Sequence, residues 1–202
     1  MSAPERIGIY GGTFSPPHCG HVRAAEAFAA SGCIDRLMII PSFLPPHKDY
    51  RPEVSTEDRL HMCEIAFSGI PGAEISDIEI RRGGKSYTVD TLRALSAPDR
   101  ELVMLCGTDM LMTLDSWYRA DEIFRLCTVA YVRRENSAEV LPLLWARADL
   151  YREKYGARII EIESDALEIS STEIRRELSH NVAPSLIPRE VYEYIQKRGL
   201  YR

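Results

Sequence analysis

Two histidines three positions apart, His18 and His21, follow the run Gly11-Gly12-Thr13-Phe14-Ser15-Pro16-Pro17. Glycines let a backbone approach an anion closely, and the first N–H groups of a helix point at it. Imidazoles at i and i+3 share one helix face, so both rings can reach the same polyphosphate. Thr13 adds a hydroxyl where phosphates would lie. A lone histidine is usually a satisfied surface or cap residue, but this pair behind a Gly-Gly turn points to nucleotide chemistry. A second constellation, Ile169-Ser170-Ser171-Thr172-Glu173-Ile174-Arg175, offers another helix start, with Arg175 facing the same way. Read alone it is an ordinary capped helix with a solvated arginine. If both helices begin at one edge of a parallel sheet, two positive helix ends and Arg175 converge on one polyphosphate.

Weaker signals follow. In Gly107-Thr108-Asp109 the carboxylate can accept hydrogen bonds from ribose hydroxyls, or simply cap a helix. Trp117 and Tyr118 can stack on a planar ring, although large aromatics usually sit in cores. Pro45-Pro46-His47-Lys48 is a stiff loop presenting two potential cations. Ser86-Tyr87-Thr88 places hydroxyls and N–H groups at a helix start suited to a carboxylate, with Ser86 or Thr88 as its cap. Arg133-Arg134 at a strand end can touch phosphate or be solvated.

The elements that must position these residues alternate along the chain. Apolar runs at 6–10, 37–40, 102–106, 129–132 and 158–162 read as buried strands, and the alternating stretch 73–80 as a strand near an edge. Helical patterns occupy 22–30, ending at Ser31-Gly32, then 55–67, where Ser55 and Asp58 form a capping pair. Others run to Leu95, over 137–155 with Pro142 inside, and over 171–178 and 188–198. Pro142 is awkward within a helix and predicts a later start or a kink. This order implies an α/β fold: a Rossmann-like, doubly wound, mostly parallel sheet with helices on both faces. Ligands in such sheets sit beyond the carboxyl ends of the strands, near the switch in strand order.

A chain of 202 residues, 45% hydrophobic and 27% charged, suits one domain with a single core, here 1–202 with a helical portion from about 170. A net charge of −5 argues against a nucleic-acid-coating surface. No apolar run approaches the roughly 18–20 residues that span a bilayer, and no secretory signal is expected at the N-terminus. Five scattered cysteines predict reduced thiols rather than disulfides or a zinc site, hence a cytoplasmic protein.

Together these motifs resemble the nucleotidyltransferase superfamily marked by H-x-G-H and a late S-T-x-x-R-like motif, and more closely its bacterial nicotinate-nucleotide adenylyltransferases. The likeness spans nearly the full length and is narrowed to that branch by Ser86-Tyr87-Thr88 and Ile169 to Arg175. It implies transfer of AMP from ATP to nicotinate mononucleotide, giving deamido-NAD and pyrophosphate. Gly11, Gly12, Thr13, Phe14, His18, His21, Ser171, Thr172 and Arg175 would bind ATP, with His18, His21 and Arg175 catalytic. His47, Lys48, Ser86, Tyr87, Thr88, Asp109, Trp117 and Arg134 would hold the acceptor: Thr88 at the carboxylate, Trp117 on the pyridine, Asp109 at the ribose. Mg²⁺ would be bound mainly through ATP phosphates, with no protein cage, and the chain could form a homo-oligomer. The rival readings are a sister enzyme with another acceptor, nicotinamide mononucleotide or phosphopantetheine, and a non-catalytic nucleotide sensor. One position departs from the family: Ser15 stands where aspartate is usual.

Overall fold

The computed structural model describes residues 3–46, 53–133, 139–164, 169–180, 182 and 185–202. In chain order the elements are β1 (Glu5–Gly12), α1 (Cys19–Ala30), β2 (Arg36–Pro41), α2 (Thr56–Phe67), β3 (Ala73–Ile75), α3 (Ile78–Arg82) and α4 (Thr88–Leu95). They continue with β4 (Arg100–Gly107), α5 (Thr108–Thr113), a 3₁₀ turn (Leu114–Ser116), α6 (Ala120–Leu126), β5 (Cys127–Val132), α7 (Val140–Tyr155), β6 (Ile159–Ile162), α8 (Ser171–Ser179) and α9 (Arg189–Arg198). The strands form one sheet in the order β3-β2-β1-β4-β5-β6, with every pair parallel. The sheet is therefore Rossmann-like. Its order reverses direction between β1 and β4, so the connections on either side diverge and open a crevice there.

Parallel strands covered on both faces read as continuous apolar runs, which is why β1, β2, β4, β5 and β6 were legible. Alternate residues divide between two layers. Ile7, Ile9, Leu102, Met104 and Val129 pack against α4 to α7, whereas Tyr10, Leu37, Ile39, Val103 and Leu105 pack against α1 and α2. Gly8 lies where α1 presses on β1. A Cβ there would stand 2.5 Å from Ile34 Cδ1 and 2.9 Å from the Phe28 ring. A third cluster, built on Met62, Ile174, Val191 and Ile195, fastens α8 and α9 to α2.

The structure differs from expectation at several places. The alternating stretch 73–80 is a strand only as far as Ile75, where pairing with Leu37–Ile39 ends, and Ile78–Arg82 is a helical turn. The alternation changes phase at Asp77, so Ile78 and Ile80 fit a helical turn as well as a strand. Helix α1 begins at Cys19 rather than Val22. Helix α7 begins at Val140, which puts Pro142 in its first turn, where a missing N–H costs nothing. The short helices α5 and α6 were not foreseen. Among the described residues no helix is long and apolar enough to cross a membrane.

Asp58 is the polar fastening between α2 and α9. Tyr194 Oη donates to its Oδ1 at 2.7 Å and Arg198 Nε at 3.1 Å, while Ser55 Oγ donates to Oδ2 at 2.7 Å. Burial pushes this carboxyl up, but the bonds from Tyr194, Ser55 and Arg198 outweigh it and hold the group below the usual carboxylate range. A depressed folded-state value means stability that is present above the unfolded value and lost as pH falls through the folded one. Asp58→Asn should cost about 1–3 kcal/mol at neutral pH. The gap in Tm between variant and wild type should narrow as the pH is lowered into the acid range, which thermal melts across pH would show.

Candidate active site

Strand β1 ends at Gly12 on the crevice, and the chain crosses Thr13–Pro17 to reach α1. His18 is the N-cap of that helix, and His21 is its third residue. The two side chains form a reciprocal capping box. His21 N–H donates to His18 Nδ1 at 3.3 Å, and His18 N–H donates to His21 Nδ1 at 3.2 Å. Each Nδ1 accepts a backbone proton, so in the neutral ring the remaining proton sits on Nε2. The rings stack with centroids 3.6 Å apart and 18° between planes. Cap and paired donor are one arrangement, which sequence reasoning missed because histidine is not a usual N-cap.

The loop before His18 is braced from beneath. Phe14 has a left-handed backbone (φ 46°), and its buried ring stands edge-on to Tyr10, Phe67 and His21 at 5.5, 5.5 and 5.0 Å. Phe14 is a core wedge, so any ligand contact from it comes from its backbone. The Thr13 carbonyl accepts Arg59 Nη1 at 2.8 Å, and Arg59 Nη2 reaches the Phe43 carbonyl at 3.5 Å. Arg59 is wholly buried in the first turn of α2. It ties the loop after β1 to the loop after β2, and nothing in the sequence marked it.

The late motif arrives at the same place. Ser170 is the N-cap of α8, its Oγ accepting from Thr172 N–H at 3.2 Å. Arg175 donates through Nη1 to the Ser15 carbonyl at 2.9 Å, 160 residues away, and through Nη2 to Thr172 Oγ1 at 3.2 Å. Its Nε lies 3.8 Å from Glu53. Arg175 thus touches the loop three residues before His18, and the first turns of α1 and α8 lie on one side of the molecule.

Beside them is a cavity of about 190 Å³ between the loops after β1 and β2 and the start of α4. Gly11, Gly12 and Thr13 form one wall, Tyr87 and Thr88 another, and Trp117 and Tyr118 the mouth. The Tyr87 and Tyr118 rings meet at 4.7 Å. The start of α4 has Tyr87 as its N-cap and no side-chain capping bond. The expectation that Ser86 or Thr88 caps it is therefore corrected. Thr88 is the first helical residue, and Ser86 Oγ accepts Phe43 N–H at 2.9 Å, clipping the β2 loop in place. An uncapped helix start at a cavity suits a carboxylate.

Two lining residues were missed. Buried Glu79 accepts a hydrogen bond from Thr91 Oγ1, which also receives Arg82 Nη1 at 3.1 Å. It escaped notice because α3 was read as a strand. Ser42 Oγ is buried on the cavity wall without a hydrogen-bond partner. Asp109 is exposed on the first turn of α5 and is not part of that wall. His47, Lys48 and Arg134 lie outside the described residues.

Gly8 and Gly11 separate folding from binding. A Cβ on Gly8 clashes with the core, whereas the nearest atom to one on Gly11 is the Ile40 carbonyl at 4.0 Å. Gly8→Ala should therefore cost about 1–3 kcal/mol of stability without altering the activity of the folded fraction. Gly11→Ala should keep stability within about 0.5 kcal/mol while the new methyl stands on the cavity wall. Its substrate KM should rise about tenfold or more. Thermal melts and initial-rate assays on both variants check the contrast.

The cytidylyltransferase-like family matches residues 9–177. A probable nicotinate-nucleotide adenylyltransferase from Gloeobacter violaceus is 38% identical over 201 residues, covering 98% of this chain and 96% of the relative. One of the same description from Pseudomonas fluorescens is 38% identical over 210 residues, covering 98% of each. In fold the chain is similar to Plasmodium falciparum nicotinic acid mononucleotide adenylyltransferase complexed with NaAD, with TM-score 0.78, 19% identity and coverage of 98% and 97%. Matched over most of its length by that family, and along nearly all of it by these relatives, the chain belongs to the cytidylyltransferase-like family and, within it, to the nicotinate-nucleotide adenylyltransferases.

Proposed function

We propose that this chain transfers AMP from ATP to nicotinate mononucleotide, forming deamido-NAD and releasing pyrophosphate. The observation that carries the site assignment is the bond from Arg175 to the Ser15 carbonyl, which unites two phosphate-type helix starts far apart in sequence. An oxygen of the mononucleotide 5′-phosphate attacks the α-phosphorus of ATP, the new P–O bond forms, and the bond to the β-phosphate bridging oxygen breaks. Pyrophosphate leaves with that electron pair. No covalent enzyme intermediate is needed, only alignment and charge neutralisation.

In this reading the Nε2–H groups of His18 and His21 donate to the ATP phosphates, with His21 nearest the α-phosphate. Arg175 and the Ser171–Thr172 helix start hold the β- and γ-phosphates, and the backbone of Gly11–Phe14 lets them approach. The acceptor ring enters the cavity against Trp117, and its carboxylate meets the first N–H groups of α4 at Thr88. Tyr87 and the backbone around Ser86 complete that wall, Asp109 serves a ribose, and His47, Lys48 and Arg134 approach the mononucleotide phosphate. A carboxylate gains charge-assisted bonds there that a carboxamide does not, so the acid is preferred over the amide.

Among the described residues no three His, Cys, Asp or Glu side chains group as a metal cage. The donors at the two helix starts are imidazole, guanidinium and backbone N–H, which suit phosphate oxygens rather than a divalent cation. Mg²⁺ would accordingly be held by ATP phosphates and water, and when bound it neutralises phosphate charge. The reading includes a cytoplasmic site of action and one nucleotidyltransferase unit over 1–202, helical from about 170.

Pyrophosphate release by the purified protein with ATP, Mg²⁺ and each mononucleotide tests the reaction. Release is expected with nicotinate mononucleotide and a markedly lower kcat/KM with the amide; equal values would refute the acid preference, and no release would refute the function. Because His21 also caps α1, His21→Asn, which keeps an acceptor for the His18 N–H, is the informative variant. It should hold its Tm while kcat falls about 10²–10³-fold. An unchanged kcat removes His21 from the mechanism.

A further inference from the structure

The loop that carries the histidines is gripped from above by the far end of the described chain. Helix α9 is closed by Gly199 (φ 66°), where the Gly199 and Leu200 N–H groups bond back to the carbonyls of Gln196 and Ile195 at 3.2 and 3.1 Å. That turn sends Tyr201 back into the cluster between α2, α8 and α9, where it is buried. Its Oη lies 3.0 Å from Ser15 Oγ, across 186 residues, with both side chains buried. The Ser15 carbonyl takes the bond from Arg175, and the N–H of Cys19 donates to the Leu186 carbonyl at 2.9 Å. Three hydrogen bonds from beyond residue 170 therefore hold the loop on both sides of His18.

Backbone geometry marks the same contact. Among the described residues three non-glycine residues have positive φ, and two of them are at this contact: Tyr201 itself and Phe14, the neighbour of Ser15. Bulky residues are uncommon in the left-handed region, and they persist there where the surrounding structure over-determines them. Ser15 itself makes no contribution that needs a substrate: its hydroxyl points at Tyr201 and its carbonyl at Arg175. What the pair can do is fix where the loop stands, and with it the height of His18, the first residue to cap α1.

We propose that Tyr201 is a positioning residue for adenylyl transfer, its hydroxyl acting through Ser15 to set the loop that presents His18 and His21 to the nucleotide phosphates. This inference rests on the adenylyltransferase reading above. Tyr201 touches no substrate. Its effect falls on the alignment of the imidazoles in the transition state, and neither Ser15 nor Tyr201 lines the acceptor cavity.

The test compares wild type, Tyr201→Phe, Ser15→Ala and the double variant, each assayed for pyrophosphate release with ATP and nicotinate mononucleotide and each melted. Phenylalanine keeps the ring that fills the cluster, so the fold is retained. Each single variant should lower kcat about tenfold, the scale of one lost hydrogen bond. KM for the mononucleotide should stay within about twofold of wild type because the acceptor wall is untouched. The double variant should be no worse than either single one, since both remove the same contact. A Tyr201→Phe enzyme with wild-type kcat overturns the inference, as does a double variant whose losses multiply or a loss that tracks a fall in Tm. A wild-type protein without turnover instead overturns the adenylyltransferase reading itself, so the two failures are distinguishable.

Discussion

All six strands run in the same direction, and this single constraint gathers the site. Parallel strands send every strand-to-helix turn out at one edge, so residues 13–18, 42–46, 86–88, 108–118 and 170–175 meet although the chain separates them widely. The reversal of strand order between β1 and β4 then keeps that edge from closing over. The bond from Arg175 to the Ser15 carbonyl is where the constraint becomes chemistry: a guanidinium from the last αβ unit reaches the first loop. Had β6 run antiparallel, α8 would begin at the opposite edge.

The residues at the site are also residues of the fold. His18 and His21 close the first turn of α1 with their own Nδ1 atoms. Ser86, whose hydroxyl suggested a contact to the acceptor, accepts the Phe43 N–H and clips the β2 loop to the start of α4. Phe14, grouped with the phosphate loop by sequence, is the wedge that holds His21 from below. A side chain with both duties has its rotamer set before any ligand arrives, which is the arrangement a reaction dependent on alignment requires.

What the sequence disclosed follows the same physics. The five long strands were legible because burial on both faces leaves continuous apolar runs, and the helix starts at Ser55 and Ser170 because short hydroxyls mark caps. Strand β3 was overextended because Ile78 and Ile80 resume the alternation of Ala73 and Ile75, but one residue out of phase after Asp77, and the pairing stops at Ile75. Helices α5 and α6 hold six and seven residues, too few to display a period. Arg59 and Glu79 were invisible for a different reason. A charged residue reads as solvated, whether on the twelve-residue α2 or in a segment read as a strand, and only the carbonyls of Thr13 and Phe43, or the hydroxyl of Thr91, make its burial sensible. Those partners are assembled by tertiary structure and leave no local trace.

Arg59 has a further consequence. Its guanidinium is enclosed beneath the loop rather than displayed on the surface. Mobile ions screen exposed charges over a distance of about 8–10 Å in ordinary buffers, but they do not enter a packed interior. The bonds from Arg59 to the Thr13 and Phe43 carbonyls are therefore shielded from salt that would weaken a surface pair, and the loops after β1 and β2 stay tied together in brine.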